Sequence, residues 1–286
     1  MFLSRSWRAI LALSAMVAVA SPAAAQPQTP QPEPPPYEAP PPETGVPPRA
    51  PSAPGHRDAR RLFQRFAEDA AIVPGGWTEG QLIYSDLDDG DSNQLLAALI
   101  AFRVTDQVEA GLRLGYERQA ADPGPDGSGL SDIDLYGKYR LHGGAGRCAL
   151  GGLVKVPTGH QEEGLGTGKT DVEGFAACRA DLQAVTVTGN VGLRYNGNPE
   201  APLPDSQASV LAGGGLLLPV GASITCVIEA SYESQRLDGA GADARLTLGM
   251  QGVARAPGFG FRGALALPLS NGAPDFQIFF GAVYLY

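Results

Sequence analysis

The sequence predicts an all-β fold: an antiparallel transmembrane barrel of about twelve strands. Three observations carry that expectation. Segments of roughly ten residues alternate apolar and polar side chains at a period of two, the connections between them are alternately short and long, and the chain stops inside an aromatic-rich strand. Glycine is abundant, at 38 of 286 residues, and charged residues make up only 18%. That composition points to many short strands and turns rather than to a helical enzyme.

Met1 to Ala25 opens on Arg5 and Arg8, runs apolar from Ala9 to Ala20 and closes on Ala23-Ala24-Ala25 before Gln26. This is the layout of a secretory signal peptide, and the apolar run is too short to span a bilayer as a mature helix. No Cys follows the expected cleavage point, which argues against a lipid anchor. The leader removes two basic residues, so the formal charge of −9 becomes −11 in the mature chain (19 basic minus 30 acidic). Nucleic-acid binding wants a basic face, so no nucleic-acid partner is expected.

From Pro27 to Pro54, 13 of 28 residues are proline. Residues 26–55 are therefore expected to form an extended periplasmic linker, reaching about 85 Å at ~3.1 Å per residue. It is either a spacer that touches peptidoglycan or another partner, or an inert tether. In residues 56–74, Leu62, Phe63, Phe66 and Ala70 fall at spacings that share a helical face. A short amphipathic helix is expected there, either entering or capping the barrel as a plug or lying frayed beneath it.

The barrel is expected over 75–286. Its longest apolar run, Leu95 to Phe102, is too short for a membrane helix. The clearest alternation sets Val185, Val187, Val191, Leu193 and Tyr195 against Thr186, Thr188, Asn190 and Arg194. Such segments recur near 76–86, 92–104, 107–118, 130–141, 147–157, 169–180, 184–196, 207–219, 222–235, 243–255, 259–269 and 275–286. Hydrocarbon leaves free backbone groups unsatisfied, so membrane strands must close on themselves. A soluble sandwich would not explain charges within nearly every strand on one parity, nor the two-sided loop asymmetry. The expected location is the cell outer membrane, with lipid around the wall.

The last segment, Asp275 to Tyr286, carries Phe276, Ile278, Phe280, Ala282, Tyr284 and Tyr286 on one face. It resembles the C-terminal signal read by the barrel-assembly machinery, with Tyr where Phe is usual. Aromatic residues at strand ends also suit the membrane interface.

Several constellations invite chemistry. Gly164 to Thr170 reads GLGTGKT, but a phosphate loop needs a glycine where Glu163 stands, and no helix is expected to follow. The histidines, His56, His142 and His160, fall in the linker end, a short turn and a long loop, so they do not converge on a metal. A rim hydrolase would need a Ser beside His160, and the strand pattern offers none. No enzyme activity, cofactor or metal is expected.

The lumen-facing candidates are Glu109, Arg113, Asp132, Asp134, Lys138, Arg140, Lys155, Asp171, Glu173, Arg194, Glu229, Glu233, Arg245 and Arg255; Glu79, Gln81, Glu117, Tyr136, Arg179 and Arg262 share their parity. Mixed signs suit a water-filled pore, an interlocked plug, or pairs that hold a narrow barrel shut.

Folding Cys148 to Ala180 about Glu163 sets Val154 against Val172, Lys155 against Asp171 and Cys148 against Cys178. A Cys148–Cys178 disulfide is permissible in an exported chain if the two form a close, non-hydrogen-bonded pair. Free thiols facing lipid are the alternative.

The same hairpin carries Val154-Lys155-Val156-Pro157-Thr158-Gly159 and then Gly164-Leu165-Gly166-Thr167-Gly168-Lys169-Thr170-Asp171. These stretches, with the later Asn190-Val191-Gly192-Leu193-Arg194-Tyr195, resemble the outer-membrane transporter family named for the meta-pathway of phenol degradation. Leu193 stands where that family carries an aromatic. The resemblance implies a β-barrel that passes small molecules, often aromatic or hydrophobic, and it brings no catalytic residues. The sequence thus points to a passive channel for small solutes, with a closed structural or envelope-tethering barrel as the alternative.

Overall fold

The computed structural model describes residues 59–87, 91–120, 126–141, 147–163, 165–166, 168–182, 184–198, 208–221, 223–253 and 257–286. The expected signal peptide and linker, His56, His142 and Arg255 lie outside the described residues. The described residues all belong to one compact unit, Pro51–Tyr286.

A single antiparallel sheet closes on itself. Its strands are β1 (Gly76–Asp86), β2 (Ser92–Arg103), β3 (Val108–Ala120), β4 (Gly127–Leu130), β5 (Ile133–Arg140), β6 (Arg147–Val156), β7 (Asp171–Asp181), β8 (Thr186–Tyr195), β9 (Ser209–Val220), β10 (Ile224–Glu233), β11 (Asp243–Val253), β12 (Gly258–Pro268) and β13 (Phe276–Leu285). Consecutive strands pair, except that β4 and β5 both pair with β3 and not with each other, and β13 pairs back with β1 from Trp77↔Leu285 to Asp86↔Phe276. The β1–β13 pairing joins the two edges that an open sheet would leave to face lipid.

The short β4 and β5 together form one stave, so the wall is a twelve-strand barrel. β3 pairs Tyr116 with Leu130 in β4 but Arg113 with Asp134 in β5. Three residues of the β4–β5 stave thus oppose two of β3, which is a one-residue bulge. The expected strand 130–141 is broken there, at Ser131-Asp132.

Period-two alternation sorts the wall as expected. In β7, Asp171, Glu173, Phe175, Ala177 and Arg179 point inward and are buried, while Val172 and Cys178 point out. Outward apolar side chains such as Leu96, Val191, Leu193 and Phe280 are exposed in the isolated barrel. Tyr84 packs near Phe276 toward one rim, and Phe259, Tyr284 and Tyr286 stack toward the other, with centroids 5.8, 4.8 and 6.1 Å apart in succession. Strands of this length span an apolar band of about 25 Å between such girdles.

The register of β6 and β7 matches the hairpin read from the sequence, with Cys148↔Cys178, Val154↔Val172 and Lys155↔Asp171. Cys148 and Cys178 stand 4.0 Å apart at Cα, and their sulfurs are joined. Cys226 is free and on the outward face of β10.

Connections near 104–107, 141–146, 182–185, 221–223 and 254–257 are short and share one end of the barrel, the turn end. Gly221 takes a φ of 76° there, the left-handed turn that glycine allows. The connections near 87–91, 121–126, 157–170, 196–208 and 234–242 share the loop end, as does the shorter 269–275.

The helix expected over 56–74 is not formed in its described part. Residues 59–73 have no regular secondary structure and lie inside the barrel. A helix needs its own i→i−4 bonds, and here side chains of the wall take the backbone groups instead.

Candidate functional site

Residues 59–73 enter at the turn end, rise to mid-barrel and return. Ala59, Phe66 and Val73 cluster with Trp77, Ala101, Val283 and Leu285, all near the turn end. At the summit Leu62 and Phe63 pack with Leu217, Val227 and Phe279, and the Gln64 Nε2 donates to Gln277 Oε1 at 2.6 Å. The segment then meets β1 at Gly76, whose N–H donates to the Tyr286 carbonyl at 2.7 Å. Both ends of this plug are therefore at the turn end.

Polar side chains from around the wall hold its backbone. Glu229 on β10 accepts from the amides of Phe63, Gln64 and Arg65 at 2.6, 3.1 and 3.0 Å. Glu109 on β3 accepts from the Val73 amide at 2.6 Å and pairs with Arg61 at 2.6 Å and Lys138 at 3.0 Å. Lys138 on β5 also donates to the carbonyls of Ala67 and Asp69, at 3.2 and 2.7 Å. Arg179 on β7 donates to the Arg60 carbonyl at 2.9 Å and pairs with Asp69 at 3.1 Å. Arg262 on β12 donates to the carbonyls of Leu62 and Arg61, pairs with Glu79 at 3.0 Å, and lies 4.4 Å over the Phe63 ring.

Each of these wall charges is buried, Glu229 against three backbone amides and the others in ion pairs as well, which offsets the cost of taking them from water. Burial alone would raise the Asp69 carboxyl, but the charges of Arg179, Arg61 and Lys138 and the Ala71 amide outweigh it and hold the group below its ordinary value of 3.8.

Glycine makes room for the plug at two seats. A Cβ on Gly215 would stand 2.6 Å from Leu62 Cδ2, and one on Gly249 would run into the Phe63 ring.

Above the plug lies a vestibule of about 510 Å³, floored by Phe63, Arg65, Phe66 and Glu68. Cross-strand register builds one of its walls. Arg113 stands opposite Asp134, Asp134 opposite Lys155, and Lys155 opposite Asp171, an alternating row across β3, β5, β6 and β7. The ion pairs follow at 2.7 Å for Arg113–Asp134 and 2.7 Å for Lys155–Asp171. Arg194, opposite Glu173, pairs with it at 2.6 Å and with Glu233 at 2.9 Å.

Of the residues expected to line the lumen, the barrel splits the list by height. Glu109, Lys138 and Glu229 grip the plug. Arg113, Asp134, Lys155, Asp171 and Arg194 line the vestibule, with Arg245, which pairs with Asp243, while Glu173 is buried as the partner of Arg194. Glu233 stands behind them as a partner of Arg194 and Arg236. Asp132 sits at the bulge, pairing with Lys155 at 3.3 Å and accepting from the Gly159 amide at 3.0 Å. Arg140 lies apart at the turn end, where it donates to the Asp106 carbonyl at 2.7 Å. His160 is exposed at the loop end.

Sequence reasoning missed the plug's own charges, Arg61, Arg65 and Asp69, and the loop residue Arg236, which pairs with Asp171 at 3.0 Å. Arg61, Arg65 and Asp69 were visible as charges interrupting an apolar segment. Arg236 had no local signal.

No family model matches this sequence, and no curated protein matches it. Among solved structures, the COG4313 outer membrane channel from Pseudomonas putida F1 superposes with a TM-score of 0.60 at 16% identity, over 75% of this chain and 97% of that one. The KdgM porin gives 0.49 at 10% identity, over 73% and 99%. The CymD monoaromatic hydrocarbon channel gives 0.45 at 10% identity, over 75% and 89%. The first of these shows the fold, that of an outer-membrane barrel.

Proposed function

We propose that the chain is an outer-membrane channel for small solutes, closed in this state by its own residues 59–73. The observation that carries this reading is a polar vestibule, open toward the loop end, whose floor is a segment with no covalent obstacle to withdrawal. Because both ends of the plug are at the turn end, it can leave the lumen without being threaded through it. The loop end is then the cell exterior, and the linker 26–55 with its leader 1–25 precedes the plug on the periplasmic side. The C-terminal strand is the element presented to the barrel-assembly machinery, and the linker is free to reach peptidoglycan.

The hairpin motif around Val154 to Asp171 supports a place in the phenol meta-pathway transporter family, and with it passive passage of hydrophobic or aromatic solutes. No catalytic role is assigned to any residue. The test is conductance in planar bilayers with solute uptake into liposomes, for the wild type and for Glu229→Leu, which loosens the plug. Small or rare openings in the wild type and larger, longer ones in the variant are expected. No current and no uptake in either protein would replace the channel by a closed, envelope-tethering barrel.

A further inference from the structure

The vestibule has two unlike walls. Facing the charged rows, β13, β1 and β2 contribute Phe279, Ile83 and Leu95, which register places side by side as Phe279↔Ile83↔Leu95. Phe63 of the plug meets Phe279 edge-on at 5.1 Å and extends this apolar surface across the floor. The carboxylate that ends the row, Glu117 opposite Leu95, accepts on its Oε1 from the side-chain amides of Asn93 and Gln119 at 2.5 and 3.0 Å.

Within the charged wall, the two signs are not presented equally. Arg113 keeps 44% of its side chain exposed while its partner Asp134 keeps 15%. Arg236 keeps 42%, while its partners Asp171 and Glu233 keep 2% and 12%. The carboxylates lie behind, against the wall, and the guanidinium groups reach the open space. Asp243 beside Arg245 is the exception, at 30% against 18%. A guanidinium that still has free N–H groups while paired on one edge is suited to take a second, planar oxyanion.

We infer that the vestibule is a binding site for small amphipathic organic anions, with an apolar or aromatic body lying on Ile83, Leu95 and Phe279 and a carboxylate held by Arg113 and Arg236. This rests on the channel reading only in taking the vestibule as the path of a solute. The cavity volume of about 510 Å³ lies within the ~300–1,000 Å³ usual for small-molecule sites. A neutral hydrocarbon would leave the arginines to water, and an organic cation would meet their exposed charge.

Equilibrium titration of the full chain, purified in detergent, separates these cases with four probes: benzoate, benzyl alcohol, benzylamine and acetate. Benzoate should bind saturably at one site, and the other three should each bind at least tenfold more weakly. Arg236→Gln and Arg113→Gln should each weaken benzoate roughly tenfold, the loss expected for a charge-assisted hydrogen bond. Ile83→Ser should weaken benzoate and leave acetate unchanged. Benzylamine or benzyl alcohol binding as tightly as benzoate, or no saturable benzoate binding, overturns the inference, and the four-probe series on the wild type decides this even if a variant fails to fold. Benzoate binding absent with conductance present removes the anion site and keeps the channel; conductance absent with benzoate bound does the reverse.

Discussion

Glu229 is the point at which the plug is most open to attack. Its carboxylate accepts three successive backbone amides, those of Phe63, Gln64 and Arg65, and the residue itself is fully buried. Glu229→Leu keeps the approximate volume and removes both acceptor oxygens, leaving all three amides without a partner. Each buried amide left without a partner costs about 1–3 kcal/mol, so the docked plug loses ~3–9 kcal/mol against the undocked one. Water entering from the vestibule recovers part of this, and even the ~3 kcal/mol end shifts the docked equilibrium more than a hundredfold. Trypsin reads the shift directly, because Arg61 and Arg65 are buried cleavage sites on the plug. In the regime where redocking is faster than cleavage, the cutting rate follows the undocked population. The wild type should resist, Glu229→Leu should be cut at Arg61 and Arg65 at least a hundredfold faster, and Glu229→Gln, which keeps one carbonyl oxygen, should fall between. A Glu229→Leu barrel that retains its strand circular dichroism and is cut no faster than wild type refutes the latch.

Gly215→Val should drive a methyl into Leu62 and destabilise the docked plug by about 1–3 kcal/mol; trypsin sensitivity unchanged from wild type would show that the seat is loose. Asp69 sits below its ordinary value of 3.8 when docked, so the docked plug holds fewer protons than the free one. Its contribution is present above that ordinary value and fades as pH falls through the lower docked value, so in acid the wild type should lose more of its protease protection than Asp69→Asn does. After denaturation without reductant, thiol labelling should modify Cys226 alone, and after reduction all three cysteines; three labelled thiols without reductant would rule the bond out.

The wall was legible because its signal is local. Side-chain parity repeats every two residues, so the inward list for β3, β5, β7 and β8 could be read from each strand alone. The β6–β7 register was equally accessible, since one loop of fixed length joins the two strands and a slip of one residue would put Lys155 and Asp171 on opposite faces, one of them toward lipid. The bulge at Ser131-Asp132 was not legible, because an extra residue shows only against a partner strand.

The plug misled for a different reason. Leu62, Phe63, Phe66 and Ala70 do share a helical face, but a segment surrounded on all sides by a barrel buries every face. Arg61, Leu62 and Phe63 are consecutive and all buried, which no amphipathic helix would allow. The groups that satisfy its backbone come from Glu109, Lys138, Arg179, Glu229 and Arg262, far away in sequence. No local window contains them.

That same fact decides how the charged parity should be understood. From sequence, mixed lumen charges fit an open pore and an interlocked plug equally. In the barrel they separate by the kind of group they bind. Lys138, Arg179, Glu229 and Arg262 bind backbone groups of residues 60–69, Arg179 also pairs with Asp69, and Glu109 pairs with Arg61. The loop-side charges instead pair with one another across neighbouring strands. Removing the plug would therefore strip the first set of its backbone partners, leaving Lys138 with Glu109 and Arg262 with Glu79, and leave the second intact. Undocking exposes four buried wall charges to water, which can solvate them once the lumen floods, while the vestibule keeps its shape. A barrel built this way can open without rebuilding the surface that a solute meets first, so selection at the vestibule and closure at the plug are separable by mutation.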